Sequence, residues 1–192
     1  MECDDSQETP EIAFVGDLTD SEADLTRQLL EVPLGGECTL YFDSPGGSPY
    51  SGMALMTTML VRGLRATGLV TGECSSAALW PLAACGRRLV TPYSVLLFHP
   101  MKWQSEENVG LAEAAEWARH FGQLETDMDR LLAELFGASQ DQIDRWMAPG
   151  RYVSGREFAD AGLAELIELK PLPLHEKNGS SPRAKSRAKA VR

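Results

Sequence analysis

Apolar residues fall in short bursts over the first hundred positions and at helical spacing after that, and the change of period marks out the elements. Residues 11–17 (Glu-Ile-Ala-Phe-Val-Gly-Asp) read as a short buried strand. Ser21 then caps a helix of roughly ten residues, with Glu22 and Asp24 near its positive end. Thr39–Phe42 is a second strand running into a turn at Asp43–Gly47, and Tyr50–Arg62 is helical, with Met53, Leu55, Met56, Met59 and Leu60 on its apolar positions. Leu64–Thr71 reads as a strand and Ser76–Cys85 as a helix that Pro81 is expected to bend. Leu89–Thr91 and Val95–His99 read as a strand pair around Pro92-Tyr93-Ser94. Strands and helices alternating at this length predict an α/β unit with a parallel sheet and right-handed crossovers.

A longer pattern follows. Trp117, Phe121, Leu124, Met128, Leu131 and Leu135 step by four, three, four, three and four, which places them on one helical stripe. A helix from about Asn108 to Leu135 would be on the order of 40 Å long, about as wide as a whole body of this size. It must therefore either span the domain or project toward another subunit. Gly137 stops it, Gln140–Met147 is a further helix, Ser154 caps another with Glu157 at its third position, Gly162 ends that one, and Leu163–Leu169 is a closing strand. No internal repeat is visible. The expected organisation is a short tail over 1–10, one domain over 11–170 and a basic tail over 171–192.

Charge sharpens that division. Lys177–Arg192 holds six Lys and Arg and no acid, so residues 1–176 carry 12 basic against 28 acidic side chains. A body of that sign repels phosphate, which makes nucleic acid an unfavourable partner, and the tail has the composition of a solvated, disordered segment. No run of 18 apolar residues occurs, and the acidic start Met1-Glu2-Cys3-Asp4-Asp5 is unlike a secretory signal. The expectation is a cytoplasmic protein without a membrane partner. Cys3, Cys38, Cys74 and Cys85 lack metal-ligand spacing, so reduced thiols and no metal or cofactor are expected.

The candidate chemistry is nucleophilic. A serine hydroxyl needs a base, and an imidazole with a pKa near 6.5 is the usual one. Of three histidines, His175 falls in the tail and His120 inside the long helix, where a surface or interface role suffices. His99 ends the apolar run Val95-Leu96-Leu97-Phe98 and precedes Pro100, at the C-terminal end of a strand where α/β sheets collect their sites. The plainer reading is a core histidine bonded to a backbone group. Ser76 stands at or near the first turn of a helix, where unpaired N–H groups favour negative charge. Its plainer reading is an N-cap, and Ser75 fills that part equally well. Asp43-Ser44-Pro45-Gly46-Gly47, directly after a strand, can aim N–H groups at a developing oxyanion.

Taken together, four stretches between Ile12 and about Leu169 resemble the proteolytic subunit of the ATP-dependent Clp protease, within the crotonase-like superfamily. Tyr41-Phe42-Asp43-Ser44-Pro45-Gly46-Gly47 looks like that family's oxyanion loop, and Gly72-Glu73-Cys74-Ser75-Ser76-Ala77-Ala78 like its nucleophile turn, which selects Ser76 over Ser75. Phe98-His99-Pro100 is similar to the segment bearing its histidine, once two residues are deleted around Cys85–Arg87. Tyr152-Val153-Ser154 with Glu157 and Gly162-Leu163 is similar to its closing segment. The resemblance implies a fold of repeated ββα-type units with a long projecting helix. It implies a serine endopeptidase in which Ser76 attacks, His99 relays the proton and the N–H groups of Gly47 and Ala77 hold the oxyanion. It also implies stacked rings of this chain or of paralogous subunits, joined through the long helix and fed with unfolded protein by an AAA+ unfoldase that consumes the ATP.

Three departures stand out. Gly150 occupies the place of the triad aspartate; the substitutes within reach of the sequence are Asp144, Glu106 and Glu107. About ten residues precede the first strand, which shortens or removes the loop that meets the unfoldase. Lys102-Trp103-Gln104-Ser105-Glu106-Glu107 replaces the Gly-rich loop after the histidine. Three further readings follow: a ring subunit with disabled turnover, a Ser/Lys hydrolase with Lys102 as base, and an acyl-CoA-binding crotonase relative, in which Ser76 and His99 would have no purpose.

Overall fold

A computed structural model describes residues 9–102 and 108–170; Glu106, Glu107, His175 and the basic tail lie outside the described residues. The α/β expectation holds. Five strands, β1 (Glu11–Asp17), β2 (Glu37–Gly46), β3 (Arg65–Ser75), β4 (Arg87–Val90) and β7 (Glu165–Leu166), run parallel in the order β1-β2-β3-β4-β7. The remaining two, β5 (Val95–Phe98) and β6 (Arg151–Ser154), branch from the far part of β3, β5 parallel to it and β6 antiparallel to β5. Phe14, Leu40, Phe42 and Val70 from the parallel strands are fully buried together with Leu18, Leu25, Leu29, Leu55 and Met59 from the helices over them.

The predicted strand pair is the main correction. β4 and β5 do not pair with each other; β4 pairs with Thr67–Val70 of β3 and β5 with Glu73–Ser75. At about 3.3 Å per residue β3 is long enough to serve two partners in succession. The segment between them is held by Ser94, fully buried, whose Oγ donates to Val70 O at 2.7 Å and accepts from Thr91 N at 2.9 Å. A buried hydroxyl thus occupies the carbonyl at which β3 changes neighbours.

Smaller corrections have local causes. The first helix, α1, runs Leu18–Glu31 and is capped by Asp17, whose carboxylate accepts from Thr19 N at 2.8 Å; Ser21 lies inside it and donates to Asp17 O. The extended conformation of β2 continues through Asp43–Gly46, because Ser44 pairs opposite Cys74 and bonds Gly16 O at 2.6 Å, so the chain turns only at Gly47. The second helix, α2 (Pro49–Val61), starts one residue earlier than expected, on a Ser48 cap. Ser76–Ala78 is a 3₁₀ turn followed by the short α3 (Leu79–Ala83), which puts Pro81 in a first turn, where its missing N–H costs nothing. The closing strand is two residues long rather than seven, and Arg151–Ser154, not read as a strand, forms β6.

The long helix, α4 (Leu111–Phe136), ends in Gly137 at φ 72°, with Ala138 N bonding back to Ala133 O. Its buried residues, Met128, Leu132, Ala133 and Phe136, all lie in the last three turns, whereas Leu111 is 88% exposed. At 1.5 Å per residue the helix is about 39 Å long, and its first half, with no fully buried residue, is tied to α2 by the 3.1 Å contact between His120 Nε2 and Tyr50 Oη. The following helices are α5 (Gln140–Met147), with its predicted bounds, and α6 (Gly155–Asp160), which begins with a full capping box between Ser154 and Glu157.

Candidate active site

Burial decides between the two adjacent serines. Ser75 is buried, and its Oγ donates to Glu73 Oε1 at 2.6 Å. Ser76 is half-buried and opens onto a cavity of about 180 Å³ at the C-terminal ends of β2, β3 and β5. Neither hydroxyl caps the following turn. Ser76 holds φ +53°, a left-handed backbone that a non-glycine residue adopts only when its surroundings enforce it. β2 passes close beside it: a methyl group placed on Gly46 would sit 2.6 Å from Ser75 O and 2.8 Å from Ser76 Cβ. Only glycine, here at φ +99°, lets the two turns approach that closely.

Gly47, Ala77 and His99 line the same cavity, so the four residues singled out by the sequence are brought together. Gly47, at φ +146°, has an N–H bonded to no described group, and Ala77 opens the helical turn, where N–H groups lack intrahelical partners. His99 follows Phe98, whose fully buried ring lies 4.9 Å from the Trp146 ring and 6.4 and 6.3 Å from those of Phe136 and Phe158. That aromatic cluster fixes the end of β5 and with it the base of the imidazole. His99 Nδ1 lies 2.6 Å from Pro100 O. A carbonyl can only accept, so Nδ1 is the donor here, and in the neutral tautomer with this bond the lone pair lies on Nε2. No hydrogen bond joins Ser76 to His99, and the bond between nucleophile and base would have to form as substrate binds.

Neither described position expected to supply a carboxylate, Gly150 or Asp144, gives one to the imidazole, and Glu106 and Glu107 lie outside the described residues. Gly150 does face it: a methyl group there would lie 3.3 Å from His99 Cβ, and its φ of +119° suits glycine. Asp144 is turned away, because Ile143, Trp146 and Met147 take the inward face of α5 and leave Asp144 exposed, accepting from Gln140 Nε2 at 2.8 Å. It lines a neighbouring cavity with Thr126, Asp129, Arg130 and Gln140. Lys102 does line the cavity of Ser76.

Two carboxylates went unrecognised in the sequence. Glu125 and Asp129, one helical turn apart on α4, line the cavity beside Ser76 and His99. Glu125 Oε1 accepts from Met101 N at 3.0 Å. Burial, reinforced by the like charges of Glu125 and Asp144, pushes the Asp129 carboxyl up to about 6. The signal was their position: each directly follows a residue of the apolar stripe, Leu124 or Met128, and so borders the face that packs on the body. The thiols are not rival nucleophiles, since burial pushes Cys74 and Cys85 well above the ordinary range. A wider concavity of about 550 Å³, with Glu37, Arg65 and Arg87 on its wall, lies at the opposite ends of the strands, away from this chemistry.

Among the described residues no helix is long and apolar enough to cross a membrane. The chain is 27% identical over 165 residues to the ATP-dependent Clp protease proteolytic subunit of Pleurastrum terricola, covering 81% of this chain and 82% of that one. It is 27% identical to the ATP-dependent Clp protease proteolytic subunit 3 of Parasynechococcus marenigrum, over 69% of this chain and 66% of the relative. With the ATP-dependent Clp protease proteolytic subunit 2 of Corynebacterium glutamicum it shares 29% identity over 68% of this chain and 65% of the relative. The Clp protease family matches residues 9–170, which takes in all of the described residues and so every residue of the cavity, and the chain belongs to that family of peptidases.

Proposed function

We propose that this chain is a Clp-type serine endopeptidase subunit working through a Ser76–His99 dyad. The observation that carries the reading is the shared cavity: a serine at φ +53°, an imidazole with a free Nε2, and the backbone of Gly47 and Ala77 border one space. In the proposed reaction His99 Nε2 takes the Ser76 proton as Oγ bonds to the peptide carbonyl carbon. The N–H groups of Gly47 and Ala77 donate to the resulting oxyanion, and the imidazolium returns the proton to the departing amine. Water then repeats the sequence on the acyl-enzyme, releasing the acid and restoring the hydroxyl. No cofactor enters these steps.

A dyad that works without a carboxylate would run by the same steps at a lower rate. In a serine protease of another fold, neutralising the triad aspartate costs about ten-thousandfold, with the imidazole left in the wrong tautomer. Here a bond from Nδ1–H to the Pro100 carbonyl favours the productive tautomer, which would offset part of that loss but not the charge that stabilises the imidazolium. The chain's assembly follows from its family: rings of this chain or of related subunits, supplied with unfolded protein by an ATP-driven unfoldase. The first half of α4, which holds no fully buried residue, would be the element that joins two such rings.

The test is covalent labelling by a fluorophosphonate, read by mass spectrometry. The reading expects modification at Ser76, none in Ser76→Ala, a large loss in His99→Ala, and retention in Lys102→Ala, which also disposes of a lysine base. A folded, assembled protein that takes up no probe refutes it. Gly150 favours a second reading, a ring subunit that retains assembly but not turnover. Mixed rings carrying Ser76→Ala in this subunit alone would then keep full activity.

A further inference from the structure

We infer that the cavity beside Ser76 receives a long cationic side chain, lysine or arginine, of the peptide being cut, with Asp129 and Glu125 as the specificity-determining residues. This rests on the peptidase reading, since it assigns the substrate class of the same cavity. The side chain next to the attacked carbonyl must lie close to Ser76, and the space there is this one. Its wall has two kinds of surface. Leu79, Trp80, Met101 and Met147 supply apolar area, which suits the methylene stem of lysine or arginine. Glu125 and Asp129 supply two carboxylates, which suit the charged head.

Asp129 is the stronger half of the argument. Among the described residues it takes part in no hydrogen bond and no ion pair, and the charged groups acting on it are the like-charged Glu125 and Asp144. Its carboxyl is accordingly pushed up to about 6, the behaviour of an acid held half-buried without a counter-ion. Glu125 is held in place by the Met101 N–H on one oxygen, which leaves the other free to accept. An apolar substrate side chain would desolvate Asp129 further and give nothing back, and an acidic one would be repelled. A metal ion is a poorer occupant, because no group of three ligating side chains exists among the described residues. Lys102 borders the same space but forms no ion pair with either acid among the described residues. It is a competitor for the acids, and its removal should strengthen the preference.

Two diphenyl phosphonate peptides, identical except for an arginine-like or a leucine-like side chain next to the phosphorus, test this on the intact chain. The readout is the rate of covalent modification at Ser76, expressed as the arginine-to-leucine ratio, so that a partial loss of folded protein cancels within each variant. The wild type is expected to favour the arginine probe by at least tenfold. Asp129→Asn should lower the ratio by tenfold or more, Glu125→Gln by a smaller factor, and Lys102→Ala should raise it. A wild type that favours the leucine probe overturns the inference, as does an Asp129→Asn variant that slows both probes equally. Either result leaves the peptidase reading standing as long as a simple fluorophosphonate labels Ser76; absence of that labelling removes both.

Discussion

Substituting Gly46 by alanine tests whether the contact between two turns sets the reactivity of Ser76. The added methyl group would lie 2.6 Å from Ser75 O, 2.8 Å from Ser76 Cβ and 3.0 Å from Ala77 N, where ordinary contact begins at 3.4 Å. None of the three atoms is the tip of a flexible side chain, so the nucleophile turn must retreat by about 0.8 Å. A displacement of about 1 Å at a reacting group costs about a hundredfold in rate, so fluorophosphonate labelling of Ser76 should slow by about that factor. Stability should fall as well, by about 1–2 kcal/mol for alanine at φ +99° and about 1–3 kcal/mol for the overlap. Labelling rates would be compared well below both melting temperatures, with circular dichroism confirming that each protein is folded. Gly63→Ala is the control: its φ of +62° carries similar backbone strain, but nothing lies within 4 Å, so it should lose stability and keep its labelling rate. A folded Gly46→Ala protein labelled within threefold of wild type would refute the reasoning.

Three other perturbations probe the scaffold. Arg88 donates to Ala83 O, Cys85 O and Leu163 O at 2.8–3.1 Å and lies over the Phe136 ring; Arg88→Met should cost about 3 kcal/mol in urea unfolding by stranding those carbonyls. Asp129 has its carboxyl raised to about 6 from 3.8, so between those pH values the folded state binds the proton and the unfolded state does not, and stability falls as pH rises through that window. Asp129→Asn should therefore stabilise the protein at pH 7, by on the order of 1 kcal/mol after screening of this half-exposed group, with the advantage gone below about pH 4 in parallel thermal melts. Ser154→Ala removes the hydroxyl's half of the capping box, its bonds with Glu157 N and Oε2, and should lower the unfolding free energy by about 1 kcal/mol.

What could be read from the sequence was what neighbours in the chain decide. Gln140–Met147 and the Ser154–Glu157 box were legible because caps and helical stripes are local in sequence. The α1 cap was misplaced because Asp17 and Ser21 are both good caps, and only the pairing of β1 with β2 shows that the strand ends at Asp17. Ser75 and Ser76 were indistinguishable without the resemblance because burial separates them, and burial depends on Gly46, thirty positions away. Glu125 and Asp129 were hidden for a related reason. An acid beside an apolar stripe usually meets solvent, and here it meets a cavity shared with Gly47, Ser76 and His99, which follow the ends of β2, β3 and β5.

The error over β4 and β5 bears most directly on function. Two short strands around Pro92-Tyr93-Ser94 look like a hairpin, and a hairpin would run β5 antiparallel to β4. Since β4 is parallel to β3, His99 would then emerge at the opposite end of the sheet from Ser76, beside the start of β3. The buried Ser94 prevents this by binding the Val70 carbonyl and sending the chain on along the second half of β3 in the same direction. Adjacent parallel strands β2, β3 and β5 then end together, and their ends carry Gly47, Ser76 and His99. Had β3 stopped at Val70, where the apolar run read from the sequence ends at Thr71, there would be no edge for β5 to join. The five further residues of that strand, Thr71–Ser75, carry little apolar character and are the ones that bring the hydroxyl and the imidazole to a common space.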